Sequence, residues 1–246
     1  MENKIACLTD IGKKRKNNED IGYVSKNPYS TLLLVCDGMG GHKKGEIASK
    51  LIVDTISSEF KKRRSSFNLS SLKKFTKNVL KKANDEVFKK SLENNDFKEM
   101  GSTSVMAIIS KDITFISSIG DSRCYIYSKD KGIKKITNDQ TYVEFLYETG
   151  RISKEEKEVH PQKNLLLNAV GINKELTNVQ TKVVKNKDYS SILLCSDGLY
   201  NMISDEIMEE ILANDELTTN AKAQKMIDLA LANGGSDNIT VAIMEK

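Results

Sequence analysis

The sequence predicts an α+β fold built on antiparallel sheets with helices packed outside them. Three observations lead there. Strand-like and helix-like stretches both abound, but they do not alternate one for one as a doubly wound parallel sheet requires. Four short apolar runs, at 104–109, 113–119, 123–127 and 133–136, follow one another with turn residues such as Ser110-Lys-Asp112 and Lys129-Asp-Lys-Gly132 between them, which reads as an antiparallel meander. Two further apolar strands, 31–37 and 191–196, each end in an Asp-Gly pair and lead into a helix.

Composition bounds the problem. The chain has 246 residues and two prolines, Pro28 and Pro161, and no Pro/Ser/Gly-rich linker divides it, so a single domain over 1–246 is expected. Basic and acidic residues number 38 and 34, a net charge of +4 that is too small to argue for nucleic acid. The clusters Lys61-Lys-Arg-Arg64, Lys73-Lys74, Lys81-Lys82 and Lys89-Lys90 lie on or beside expected helices and read mainly as solvated faces, with a docking patch for an acidic partner as the other reading. No stretch approaches the roughly 20 apolar residues of a membrane span, and the N-terminus lacks the apolar core of a secretory signal. Cys7, Cys36, Cys124 and Cys195 sit in separate strand-like runs, which suits free thiols in a reducing, cytoplasmic setting.

Taken in order, strands are expected at 5–8 and 21–25, joined by a charged loop that carries Arg15, Glu19 and Asp20. The strand Thr31 to Asp37 follows, then a Gly-rich turn and a helix from Glu46 to Phe60. A second helix spans Leu69 to Leu92, with Leu72, Phe75, Val79, Ala83 and Val87 along one face. After the meander, 137–171 is polar and irregular, with a short helix near 142–148. Long connections of this kind are often functional. Strands return at 179–184 and 191–196. Helices at 204–213 and 218–233 precede the closing strand, 239–244. Ser204 is an expected N-cap and Gly234 a helix stop.

The chemistry lies at strand ends. Asp37-Gly38 and Asp197-Gly198 each close an apolar strand, Asp237 precedes the last one, and Glu19-Asp20 precedes the second. One Asp-Gly pair alone is an ordinary turn, but four acidic clusters at four strand ends point to a common site. Oxygen-only donors suit Mg²⁺ or Mn²⁺ rather than zinc or copper. An aspartate such as Asp37 could bridge two such ions about 4 Å apart and so generate a hydroxide nucleophile for phosphoryl transfer. Arg15 offers a planar fork to a phosphate dianion, or is one more solvated cation beside Lys13, Lys14 and Lys16. Other chemistries fit poorly. Glu46 stands where a P-loop needs lysine, Gly38-Met-Gly40 lacks the third glycine of a dinucleotide loop, and only His42 and His160 could serve a Ser-His-Asp triad, with no Gly-x-Ser-x-Gly elbow.

The motifs Thr9-Asp10, Gly12, Arg15, Asn18-Glu-Asp20, Val35-Cys-Asp-Gly-Met-Gly-Gly-His42, Gly45-Glu-Ile-Ala-Ser49, Gly101-Ser-Thr-Ser104, Gly120-Asp-Ser-Arg123, Leu194-Cys-Ser-Asp-Gly-Leu199 and Gly235-Ser-Asp-Asn-Ile-Thr240 occur in this order. Together they resemble the metal-dependent serine/threonine protein phosphatases of type 2C, in their compact bacterial form. The resemblance implies a four-layer α-β-β-α sandwich and a binuclear Mn²⁺/Mg²⁺ centre. In that centre Asp37 bridges, the Gly38 carbonyl joins one metal, and Asp197 and Asp237 complete the other. Glu19 and Asp20 support it, and Asp121 with Asp197 holds a third, looser ion. Arg15 matches the phosphate-binding arginine. The implied reaction is direct attack of a metal-bridging hydroxide on phosphoserine or phosphothreonine, without a phosphoenzyme, and 137–171 matches the flap linked to substrate choice. The implied partners are phosphorylated proteins, a bacterial Ser/Thr kinase and its substrates, with no nucleic acid. A monomer is expected.

The chain departs from the family pattern in places. Met39 follows Asp-Gly where animal and plant relatives carry histidine, which leaves the leaving-group acid unassigned. Asp139-Gln-Thr141 stands for Asp-His-Ser, and Asn168 replaces an arginine in Asn164-Leu-Leu-Leu-Asn-Ala-Val-Gly171, removing a flap ion pair. The altered flap motivates an alternative, a non-catalytic phosphoprotein-binding module of the same fold, although no metal ligand is lost. A third reading keeps the metals and takes a small phosphate ester or nucleotide as substrate.

Overall fold

Strands that are apolar on both faces need cover on both faces, and that requirement sets the architecture. The computed structural model describes residues 4–40 and 44–246. His42, with Gly41 and Lys43 of the Gly-rich turn, lies outside the described residues.

One sheet consists of β1 (Lys4–Asp10), β11 (Ile239–Glu245), β10 (Ser191–Cys195), β7 (Arg123–Ser128) and β8 (Gly132–Lys135), in that spatial order. The other runs β2 (Asp20–Asn27), β3 (Ser30–Met39), β5 (Ser104–Ile109), β6 (Ile113–Ile119) and β9 (Gln180–Lys185), with the two-residue β4 (Gly101–Ser102) paired to the end of β3. Every pairing is antiparallel.

The period-two alternation of side chains sorts residues into three layers of core. On β3, Leu32, Leu34 and Cys36 face α1 (Lys44–Lys61) and α2 (Leu69–Ser91), where they meet Ile52, Ile56 and Leu80. Leu33 and Val35 face the other way and pack with Ile192, Leu194, Ala242 and Met244 of the opposite sheet. On that sheet Leu193, Cys195, Val241 and Ile243 turn outward onto α6 (Asp205–Ala213) and α7 (Thr219–Ala232), meeting Met208, Ile211, Met226 and Ile227. The order is helix, sheet, sheet, helix, as the sequence predicts.

The meander is a correction. β5 and β6 form one hairpin and β7 and β8 another, but β6 and β7 do not pair; they belong to different sheets. Turn spacing reports hairpins and is silent on which sheet a hairpin joins. Segment 137–171 also holds more order than expected: besides α3 (Tyr142–Glu148) it carries α4 (Lys154–Val159), which buries none of its residues and so shows no apolar stripe. Its signal is a capping box, Ser153 with Glu156. Ser204 occupies the N-cap of α6, but its side chain makes no bond to the helix N–H groups. After α7, Gly234 (φ +131°) and Gly235 (φ +54°) reverse the chain, and the Gly235 N–H closes on the Ala230 carbonyl. All four cysteines are free thiols, and among the described residues no helix is long and apolar enough to cross a membrane.

Leu33→Ala, in the layer between the sheets, is expected to lower the unfolding free energy by about 2–5 kcal/mol. Lys129→Ala, which removes an exposed pair with Asp215, is expected to leave the denaturation midpoint unchanged. Chemical denaturation of the two variants checks both.

Candidate active site

The inner face of β3 runs Leu33, Val35, Asp37. The first two are fully buried between the sheets, and the third emerges half-buried where that cover stops. Its backbone is pinned on both sides: the Asp37 N–H donates to Thr103 Oγ1 (2.9 Å), and the Thr103 N–H donates to the Asp37 carbonyl (2.9 Å). Thr103 Oγ1 also shares a hydrogen with Ser122 Oγ at 2.7 Å, in the segment that crosses from β6 to β7. That segment carries Asp121.

β2 begins opposite this point, with Asp20 in register with Asp37. Asp20 is buried at 4% exposure, and its Oδ2 accepts from Ser196 Oγ (2.6 Å) at the end of β10. Ser196 Oγ in turn accepts from the Thr240 N–H of β11 (3.0 Å), which ties the two sheets together behind the site. Asp197 follows as the first residue of a short helix, α5 (Asp197–Tyr200), and its Oδ2 accepts from Asn201 Nδ2 at 3.3 Å.

Asn238 fastens the N-terminal loop to the turn before β11. Its Nδ2 donates to the Ile11 and Asn17 carbonyls, and its Oδ1 accepts from the Glu19 N–H (2.8 Å). Arg15 thereby reaches Asp237, with Nη2 2.5 Å from Oδ2 and the arginine side chain still 53% exposed. The Glu19 carboxylate lies against Gly45 at the start of α1, where a Cβ would come within 2.4 Å of it. Gly45 and Gly38 press backbone to backbone at the same place, and a Cβ on Gly38 would stand 2.2 Å from the Gly45 carbonyl, so neither position accommodates a side chain.

Arg15, Glu19, Asp37, Gly38, Asp121, Asp197 and Asp237 all line one cleft of about 570 Å³. Asp20 stands behind it. Seven of the eight residues singled out in the sequence thus share a single opening, although they come from five separate segments. Thr103, Ser196 and Asn238, which hold them in place, were not singled out. Each lies inside or beside a quoted motif, and that adjacency was the available signal.

The electrostatics are those of like charges packed together. Burial, and then the neighbouring carboxylates, push Asp20 up to about 7 and Asp121 up to about 8. Burial with Asp237 beside it lifts Asp197 to about 6, and burial followed by the charge of Asp20 holds Asp37 well above the usual carboxylate range. Asp20 Oδ1 and Asp197 Oδ1 are buried with no hydrogen-bond partner. Orphaned carboxylate oxygens in a set of hard donors fit a divalent cation. No group of three or more His, Cys, Asp or Glu side chains among the described residues forms a ready-made cage for one ion. Mg²⁺, however, keeps several waters and takes one or two carboxylates, so pairs of these aspartates with the Gly38 carbonyl can serve.

The two flap departures meet each other. Asn168 Nδ2 donates to Gln140 Oε1 (3.1 Å) and to the Thr177 carbonyl (2.9 Å). Gln140 Oε1 also accepts from the Gly120 N–H (2.9 Å), next to Asp121. A neutral amide network stands where the family resemblance implies an ion pair. The flap brings Asn164, Leu165 and Leu166 to the rim of the cleft.

A family model described as "Protein phosphatase 2C" matches residues 11–231. A serine/threonine phosphatase, stp, of Listeria innocua is 37% identical over 97% of this chain and 94% of its own length. Protein phosphatase PhpP of Streptococcus pneumoniae is 31% identical over 98% of this chain and 96% of its own. The crystal structure of serine/threonine phosphatase Stp1 from Staphylococcus aureus superposes with a TM-score of 0.93 at 32% identity, covering 100% of this chain and 96% of that one. The catalytic domain of PstP in complex with two manganese ions superposes at 0.83 and 29% identity, covering 99% and 97%.

Removing one of the crowded carboxylates relieves repulsion. Asp37→Asn is expected to raise the thermal midpoint of the metal-free chain by on the order of 2–4 °C and to abolish any further rise on adding Mg²⁺. Thermal denaturation with EDTA and then with Mg²⁺ checks both.

Proposed function

The chain belongs to the protein phosphatase 2C family, and we infer that the acidic cleft is the active site through which it acts as a metal-dependent serine/threonine phosphatase on phosphorylated proteins. The observation that carries this assignment is the meeting of Asp37, Asp121, Asp197 and Asp237 beside Arg15 in one cleft. In this reading Asp37, the Gly38 carbonyl, Asp197 and Asp237 would hold two divalent cations, Mn²⁺ or Mg²⁺, with Asp37 as the ligand common to both. Glu19 and Asp20 would support them, and Asp121 with Asp197 would accommodate a third. Bound there, the cations supply the positive charge that ionises a water near neutral pH and offsets charge on the phosphoryl oxygens.

The chain's own residues do the rest. Asp237 orients the Arg15 guanidinium from one side, and the remaining N–H donors of the fork suit two oxygens of a phosphate. Asn238 holds the loop that presents Arg15. In this reading the attacking group is water, as the family resemblance implies; Cys36, Cys124 and Cys195 are buried, and burial pushes their thiols up, away from nucleophilic use. Leu165 and Leu167, about half exposed at 47% and 53%, place apolar surface on the flap for the polypeptide around the phosphoresidue. The substrates in this reading are those of a Ser/Thr kinase. The chain acts as one domain and as a monomer, in a cytoplasmic setting that suits four free thiols.

Phosphate release from a phosphothreonine peptide is expected to require Mn²⁺ and to stop in excess EDTA. Arg15→Ala is expected to lower kcat/KM by about 10²-fold or more, and Asp237→Asn at least as much, with both variants still folded. Retained turnover in a clean Asp37→Asn preparation would sink the site assignment. Faster turnover of nucleotides than of the peptide would sink the protein-substrate assignment.

A further inference from the structure

A second cleft, of about 580 Å³, lies between α2 and β9 and shares no lining residue with the acidic one. Phe115, Leu176 and Val179 give it an apolar lining. Thr76 lines it too; the residue is 2% exposed and its Oγ1 has no hydrogen-bond partner. A helical threonine ordinarily satisfies its hydroxyl on a carbonyl one turn back, so this one is a polar group left for something that enters. Lys73, Lys77 and Lys81 follow on the same face of α2, and Lys174 stands on the opposite wall. Several other lysines of the helical layer are matched: Lys62 and Lys82 pair with Glu59, and Lys90 with Glu93. Lys81 pairs with Asp85, but Lys73, Lys77 and Lys174 make no ion pair among the described residues and outnumber the one unpaired lining carboxylate, Glu175.

We propose that this cleft is a second ligand site, for a small amphipathic anion. The apolar body of the ligand fills the space over Phe115, Leu176 and Val179. A polar atom reaches Thr76 Oγ1, and the anionic group sits among Lys73, Lys77 and Lys174. The volume is that of an ordinary small-molecule pocket. An inorganic anion, or a peptide of carboxylate side chains alone, would leave the apolar lining bare, so neither uses both features.

The site has a short route to the flap. The wall residue Leu176 is followed by Thr177 and Asn178, whose carbonyls accept from Asn168 Nδ2 (2.9 Å) and Gln140 Nε2 (2.6 Å). Gln140 in turn holds the Gly120 N–H beside Asp121. Asn178 adopts φ +54°, which few non-glycine residues do. A ligand that fixes this wall therefore braces the root of the flap.

Anilinonaphthalene sulfonate, an aromatic body with one sulfonate, is a direct probe on the full chain. Fluorescence titration is expected to show saturable binding to one site that orthophosphate with Mg²⁺ does not displace. The double variant Lys73→Glu/Lys77→Glu is expected to weaken it about tenfold or more, while Lys61→Glu/Arg64→Glu leaves it unchanged. Bound dye is expected to slow amide hydrogen exchange in 172–181 and at Gln140 and Asn168. Absence of saturable binding, displacement by orthophosphate, equal affinity in Lys73→Glu/Lys77→Glu, or binding of a polyglutamate peptide but not of the dye would each overturn the site. Binding that leaves exchange at Gln140 and Asn168 unchanged would overturn the link to the flap. None of these readouts depends on phosphatase activity.

Discussion

A strand buried on both faces has room for a charged side chain only at its end, and this constraint governs where the chemistry sits. Antiparallel pairing then brings ends and beginnings together. The end of β3 lies beside the start of β2, so Asp37 meets Asp20. The end of β10 lies beside the start of β11, so Asp197 comes near Asp237. β5 starts where β3 ends, so β6, which pairs with β5, ends there as well and crosses to β7 through Asp121. Two hydrophobic sheets stacked face to face thus deliver their carboxylates to a single edge. The cleft is a by-product of how the core is packed.

Such a gathering is costly without a counter-charge. Four aspartates held above their ordinary range by burial and by one another, two of them with an orphaned oxygen, describe a site built around a cation. The surrounding bonds keep the carboxylates from relaxing apart. Thr103 clamps the Asp37 backbone, Ser196 joins Asp20 to the opposite sheet, and Asn238 ties down the loop of Arg15 and Glu19. Gly38 and Gly45 permit an approach that any side chain would block. Stability given up at the site is recovered in the three apolar layers, where Leu33, Leu34 and Leu193 are inaccessible to solvent.

Much of this was legible in the sequence, for a physical reason. An apolar run ending in Asp-Gly carries both the burial of the strand and the exposure of its end, so Asp37 and Asp197 were readable locally. Helices α1 and α2 announced themselves by an apolar stripe. What was not legible depends on pairing between distant segments. The split of the expected meander across two sheets leaves no trace in the turn residues. The polar α4 has no buried face to mark it, and Ser204 has the right identity for a cap without making the bond. Gln140 and Asn168 read as two unrelated departures from a family pattern, yet they are hydrogen-bonded to each other. A change at either position is therefore only half of the description.

The central claim is that Asp37 joins two divalent cations at the edge of the sandwich. Titrating Mn²⁺ into the metal-free chain and recording electron paramagnetic resonance spectra tests it most directly, because two Mn²⁺ ions that share a carboxylate couple magnetically. The expected result is two bound ions per chain with a coupled spectrum, and loss of that coupling in Asp37→Asn. A wild-type chain that binds no Mn²⁺, or a coupled pair that survives in Asp37→Asn, would contradict it.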